Sequence, residues 1–205
     1  MKIVFDFAGV LFRWHPESLL RREIPHRATD EASARHWMRE IFQAYGGDWG
    51  EFDRGTVEVP ELVTRISRRT GLHEDEVRRV VDSVPHELQP VADTVAWLAE
   101  LRGQGRALFF LSNMPEPYAA HLERGNPFIT WFEDGIFSAR VHHIKPERGI
   151  FELAAARFGA VPSELLFLDD HGPNVEMARS LGWNAVHFSD AAQARKEVEA
   201  GGWLL

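Results

Sequence analysis

Cysteine is absent from the 205 residues of this chain. Disulfides, thiolate zinc sites and a cysteine nucleophile are excluded together. Long apolar runs are missing as well. No window approaches the ~18 apolar residues that a membrane-spanning helix needs. Met1-Lys2 leads straight into Ile3-Val4-Phe5-Asp6, too short an apolar stretch for an export signal. Basic charge is outweighed by acid: 23 Lys and Arg stand against 31 Asp and Glu, a formal net charge of −8. That balance disfavours non-specific nucleic-acid binding and leaves room for a local basic pocket around a small anion. A cytoplasmic protein with neither nucleic acid nor membrane among its partners is the expectation. Ten histidines are present, yet no His-Glu-x-x-His spacing occurs, so a histidine metal site is not indicated.

What is present reads as an ordinary globular chain, 44% hydrophobic and 26% charged, long enough to bury a core without staples. Short apolar runs recur at Ile3–Phe5, Ala107–Leu111, Leu165–Leu168 and Ala185–Phe188. Unbroken runs of this length suit strands covered on both faces, as in a parallel sheet between helices. Amphipathic segments lie between the later runs. Val91, Val95, Leu98 and Leu101 share one face, with Gly103 as the expected stop; further helices are expected over 149–159 and 173–182.

Residues 14–86 break the alternation and read as all-helical. Trp37, Met38, Ile41, Phe42 and Tyr45 form a stripe behind the capping candidates Thr29 and Asp30. A second helix is expected from Pro60 to Thr70, ended by Gly71. Val77, Val80, Val81 and Val84 mark a third, closed by Pro85. The predicted architecture is α/β: a Rossmann-like parallel sheet with helices on both faces, residues 1–13 and 87–205, and an all-helical insertion at 14–86.

Polar residues follow three of the predicted strands: Asp6, Ser112-Asn113 and Asp169-Asp170. In open α/β sheets, ligands bind beyond the carboxyl ends of the strands, so these tips should converge. Converging acids repel unless a cation neutralises them, and hard oxygen donors without thiolate or imidazole favour Mg²⁺. Lys145, in His143-Ile144-Lys145-Pro146-Glu147, adds a positive charge before a helix. A carboxylate, a divalent ion, a hydroxyl and a lysine together suit phosphoryl transfer, where charge neutralisation and positioning carry the catalysis.

At this point the chain resembles the haloacid dehalogenase superfamily of hydrolases, in the branch with a helical cap inserted after the first motif. The resemblance rests on Phe5-Asp6-Phe7-Ala8-Gly9-Val10, Leu111-Ser112-Asn113, Lys145-Pro146, and Leu168-Asp169-Asp170 followed by Asn174, in that order. It is greatest to small bacterial phosphatases related to the α-D-glucose-1-phosphate phosphatase group. The resemblance implies that Asp6 attacks phosphorus to form an aspartyl-phosphate. Ser112, Asn113 and Lys145 would hold the phosphoryl oxygens. Asp6, Asp170 and the Ala8 carbonyl would bind Mg²⁺, with Asp169 beside them. The implied substrate is a small phosphorylated metabolite, with sugar phosphates among the candidates.

One position departs from the family pattern. Two residues after the nucleophile, where most phosphatases of the superfamily carry an aspartate as general acid and base, this chain has Ala8. His15, His171 and a group of the substrate itself are candidate substitutes, and Arg13, Trp14 and His15 are candidate pocket residues at the core-to-cap passage. Two other readings follow. A 2-haloacid dehalogenase uses the same nucleophile without that acid, but Asp169-Asp170 argues against it. A phosphate-ligand-binding module with little turnover has Ala8 as its support.

Overall fold

Alternate residues of the apolar runs face opposite sides of a single parallel sheet. The computed structural model describes residues 1–204. Strands β1 (Lys2–Phe5), β2 (Leu108–Ser112), β3 (Asp134–Phe137), β4 (Leu165–Asp169) and β5 (Asn184–His187) lie in the order β3-β2-β1-β4-β5. Ile3 and Phe5 of β1, Leu108 and Phe110 of β2, and Leu166 and Leu168 of β4 share one core. Val4, Phe109, Leu111, Leu165 and Phe167 point into another. This is the two-residue period of a strand with both faces covered.

Helices α6 (Ala92–Gly103), α7 (Glu116–Gly125) and α10 (Ala191–Ala200) bury Trp97, Leu122 and Val198 in the first core; α8 (Arg148–Arg157) and α9 (Gly172–Ser180) bury Phe151 and Val175 in the second. Between β1 and β2 the chain makes five further helices: α1 (Pro16–Glu23), α2 (Glu31–Phe42), α3 (Gly47–Asp53), α4 (Val59–Thr70) and α5 (Glu74–Glu87). The chain leaves and rejoins the sheet layer at adjacent points, where Arg13 N donates to Gln89 O at 2.8 Å and Val91 N to Leu11 O at 2.9 Å. Asp30 caps α2 and Gly71, at φ +76°, ends α4, as their sequences predict. Among the described residues no helix is long and apolar enough to cross a membrane.

Several local expectations are corrected. Gly103 lies inside α6, and Gly105 instead takes the left-handed turn at φ +71°. Pro85 does not close α5, which continues to Glu87. Proline has no N–H for the carbonyl four residues back. That carbonyl, on Val81, instead accepts the Tyr118 hydroxyl of α7 at 2.7 Å. Helices α1, α3, α7 and α10 and strand β3 are additions to the predicted elements.

Candidate active site at the sheet switch point

β1 is the central strand, and the order reverses between it and β4, where an open α/β sheet leaves a crevice at its carboxyl edge. Phe5 stands beside Leu168 and Phe110, so Asp6 and Asp169 emerge side by side and Ser112 one residue further along β2. Asp6 N is tied to Leu168 O at 2.9 Å. The pairing therefore brings Asp6, Ser112 and Asp169 to one edge, as the sequence anticipates.

Lys145 is the hub. It is 2% exposed, and its Nζ lies 2.8 Å from Asp6 Oδ1 and 2.6 Å from Asp169 Oδ2. Burial works against its positive charge, but the carboxylates of Asp169 and Asp6 outweigh that and hold its pKa above the usual value. Asn113 serves this lysine: its Nδ2 donates to Lys145 O at 2.9 Å and its Oδ1 accepts from Lys145 N at 2.7 Å. The carboxamide expected to hold phosphate is thus engaged in fixing the Lys145 loop to the tip of β2.

The acids divide by surroundings. Asp169 is fully buried and saturated, accepting from Lys145, from His171 N at 2.8 Å and from Asn174 Nδ2 at 3.0 Å. Asp170 opens onto the cavity, and its carboxylate has no hydrogen-bond partner outside its own residue among the described residues. Protein crowds its other sides, and this, with the charge of Asp169 second, pushes its pKa up to about 6. Asp6 is pushed up to about 8, chiefly by burial and further by Asp169 and Asp170, with Lys145 pulling the other way.

Three observations fit a divalent cation here. One carboxylate oxygen from each of Asp6, Asp169 and Asp170 lies within 4.8 Å of the others. Gly9, at φ +81°, leaves room for Asp170: a Cβ there would stand 2.1 Å from Asp170 Oδ2. The Ala8 carbonyl oxygen accepts no hydrogen bond from the described residues. A hard-oxygen set of this kind matches Mg²⁺. Because the oxygens of Asp169 are already taken, Asp6 and Asp170 are the carboxylates free for the ion, with Asp169 behind them.

Ser112 lies where the cavity does not reach. It is fully buried, and its hydroxyl has no partner among the described residues. An unpaired buried hydroxyl costs about 1–3 kcal/mol, so this group is held ready for an acceptor.

A cavity of about 270 Å³ opens above Asp6, Ala8, Asn113, Lys145 and Asp170. Its upper wall is supplied mainly by the helical segment and is aromatic and aliphatic, with Trp14, Tyr45, Trp49, Leu88 and Tyr118. Trp14 enters the wall, whereas its neighbours Arg13 and His15 do not border the cavity. Tyr45, expected only to pack, also lines it; its hydroxyl accepts from Trp14 Nε1 at 2.8 Å and its ring meets His171 edge-on. Gln43, Ala44 and Tyr45 reach this place with φ of 49°, 51° and 64°, a costly conformation for non-glycine residues. Asp53, at the end of α3, also borders the cavity, and the sequence reading missed it because no spacing rule ties a carboxyl of the helical segment to a strand tip.

A family model described as haloacid dehalogenase-like hydrolase matches residues 3–182. The chain is similar to the sesquiterpene phosphatase astK of Aspergillus oryzae, 26% identical over 95% of this chain and 93% of that protein. It is similar in fold to a HAD family enzyme of Bacteroides thetaiotaomicron solved in complex with magnesium and inorganic phosphate. There the TM-score is 0.70 and the identity 21%, over 90% of this chain and 92% of the other. The L-2-haloacid dehalogenase of Xanthobacter autotrophicus, with chloropropionic acid covalently bound, shares the fold at a TM-score of 0.67 and 19% identity, over 100% of this chain and 84% of the other.

Proposed function

The chain belongs to the haloacid dehalogenase-like hydrolase family, and on that premise we propose that it is a Mg²⁺-dependent phosphatase working through an aspartyl-phosphate on Asp6. The observation that carries this is a carboxylate, Asp6, pinned 2.8 Å from a buried lysine beside the free carboxylate of Asp170. A phosphoryl group entering above Asp6 would meet Lys145 for its oxygens and Asp6 as nucleophile. The unpartnered hydroxyl of Ser112, which the cavity does not reach, would donate to a phosphoryl oxygen only if substrate binding opened the floor to it. Asn113 positions Lys145. Asp6, Asp170 and the Ala8 carbonyl would hold Mg²⁺, which when bound neutralises charge on the phosphoryl oxygens and the acid cluster. Asp169 orients Lys145. Residues 14–86 act as the cap that excludes water and selects the leaving group, on a core of 1–13 and 87–205.

The cavity lining refines the substrate. Sugar hydroxyls need polar partners, and the wall of Trp14, Trp49, Leu88 and Tyr118 offers few. Buried apolar area favours an apolar body instead. The substrate we assign is a phosphate monoester with an apolar, hydrocarbon-rich leaving group, in keeping with the sesquiterpene phosphatase relative. A dehalogenase reading has the shared fold of the Xanthobacter enzyme but leaves the free carboxylate of Asp170 without a task.

The test is inorganic phosphate release from a panel of prenyl, alkyl, aryl and sugar phosphates, with Mg²⁺ or EDTA, beside Asp6→Asn. Release that needs both Mg²⁺ and Asp6, and favours the apolar esters, is expected. EDTA-insensitive halide release from 2-haloacids would instead establish the dehalogenase. Tight phosphate-ester binding without turnover would leave a binding module.

A further inference from the structure

Breaking the ester bond of an unactivated alcohol leaves negative charge on the departing oxygen, and a proton delivered there is worth about 10²–10⁴-fold in rate. Ala8 has no proton to give. The titratable groups that border the cavity can be taken in turn. Asp6 and Lys145 are committed to each other and Asp170 to the cation. Glu147 is clasped by Arg54 through Nη2 at 2.5 Å and Nη1 at 2.9 Å. Tyr118 donates its hydroxyl proton to Val81 O, and Tyr45 accepts from Trp14 while burial raises its pKa further above the ordinary phenol value, away from the near-neutral range that suits a general acid and base. His171 directly follows the ligand Asp170, is half-buried, and has its ring set edge-on against Tyr45.

Asp53 is left. It borders the same cavity, is 3% exposed, and its carboxyl has no hydrogen-bond partner among the described residues. Its backbone is bolted to the core. Ser138 Oγ donates to Asp53 O at 2.5 Å and accepts from Met114 N at 2.8 Å. Arg54 ties the next residue to Glu147, two positions beyond Lys145, and Gly55 packs so close to Ala139 that a Cβ would stand 2.6 Å from its carbonyl oxygen. The carboxyl is therefore held at a fixed place over the floor. A buried, unpartnered carboxyl on a rigid support costs free energy that packing alone does not explain.

We propose that Asp53, supplied by the helical segment, is the general acid and base of this site, in the task that Ala8 cannot perform. The proposal rests on the phosphatase reading above. Burial holds the Asp53 carboxyl well above the ordinary carboxylate range, with Lys145 opposing and the negative charge of Asp6 adding to it, which favours the protonated form that an acid needs. In the first step an Asp6 oxygen forms a bond to phosphorus while the bond from phosphorus to the leaving oxygen breaks. The electron pair of that bond stays on the leaving oxygen, which takes the proton of Asp53. In the second step the Asp53 carboxylate takes a proton from water. The water oxygen bonds to phosphorus, the bond to Asp6 breaks, and phosphate leaves with Asp6 and Asp53 restored.

The experiment is a leaving-group series of aryl and alkyl phosphomonoesters, read as kcat/KM with Mg²⁺, for the unaltered protein, Asp53→Asn and Asp6→Asn. The unaltered protein should show a shallow dependence on leaving-group pKa. Asp53→Asn should lose about 10²–10⁴-fold on alkyl esters yet stay within about tenfold on p-nitrophenyl phosphate, whose leaving group needs no proton. A uniform loss across the series, or no loss on alkyl esters, would overturn the assignment while leaving the phosphatase intact. A steep dependence in the unaltered protein would overturn it without recourse to any variant. If no ester is hydrolysed above the Asp6→Asn background, the phosphatase reading itself fails, and Asp53 falls with it.

Discussion

Lys145 Nζ donates to Asp169 Oδ2 at 2.6 Å, and both side chains are shut away from solvent. Removing one partner of such a pair strands the other in a medium that cannot solvate it, at about 3–5 kcal/mol. Lys145→Met leaves both Asp6 and Asp169 stranded. It should lower the unfolding free energy by about that amount as well as abolish activity. Because the stranded groups are acids, protonation relieves them, so the deficit in urea titrations should be smaller at pH 5 than at pH 8. A deficit that does not change with pH would mean that packing, not charge, holds this lysine in place.

Gly9→Ala tests the floor beneath the cation. Its φ of +81° is poor for alanine, and the added methyl would meet the Asp170 carboxylate. Destabilisation of more than about 1 kcal/mol is expected from the backbone alone. A larger share of the damage should fall on Mg²⁺ affinity, read by calorimetry on the folded variant. Unchanged affinity would remove Asp170 from the ligand set.

The metal-free protein should lose stability as pH rises. Asp6 and Asp170 have folded-state pKa values raised to about 8 and about 6 from 3.8. Between the unfolded and folded values the native state therefore binds more protons than the unfolded chain, and the slope of stability with pH is negative. Glu76, lowered to about 2 chiefly by its hydrogen bond from Arg27, acts the other way, but only on the acid side of its ordinary pKa. Mg²⁺ needs the deprotonated carboxylates, so its binding releases protons. The rise in Tm on adding Mg²⁺ should accordingly grow from pH 5.5 to pH 8. A rise that is constant across that range would place the ion elsewhere.

Ser112→Ala separates binding from folding. The hydroxyl has no partner among the described residues, so its loss should leave Tm unchanged or slightly higher. Phosphate ester turnover should nevertheless fall, because the donor to the phosphoryl oxygen is gone. A drop in Tm with normal turnover would make Ser112 a structural residue.

The strand tips were legible in the sequence because β1, β2 and β4 are covered on both faces, and unbroken apolar runs ending in Asp6, Ser112 and Asp169 mark them plainly. β3 was not. It is an edge strand whose first residues are Asp134 and Gly135, and the glycine is there because a Cβ would stand 2.0 Å from the Phe110 ring. Packing against a neighbour, not strand propensity, wrote that sequence. Asp53 was equally illegible. Residues 47–53, GDWGEFD, carry no stripe or cap that marks a separate helix within the helical stretch, and the anchoring of α3 by Ser138 and by the Arg54–Glu147 pair brings its last residue to the cavity that Asp6 also borders. The residues at the strand tips are set locally by each strand, whereas the place of Asp53 depends on how two separate stretches of chain dock.

Trp14 gives the sharpest test of substrate class, since it lines the cavity without belonging to the polar floor. It is half-buried and held by its indole N–H to the Tyr45 hydroxyl, and its ring meets Phe42 edge-on. Its loss should therefore be tolerated by the fold better than loss of the buried Trp49. If the leaving group is apolar and lies against this wall, Trp14→Ala removes contact area worth about 1–2 kcal/mol, or roughly 5- to 30-fold. That loss should appear in kcat/KM for prenyl and long alkyl phosphates, mainly as a higher KM. Turnover of a small ester such as methyl phosphate, too short to reach the indole, should change little. An equal loss on both would mean that Trp14 shapes the floor through Tyr45 and His171 rather than reading the substrate. A gain for sugar phosphates, with no loss for apolar ones, would reverse the assignment of substrate class.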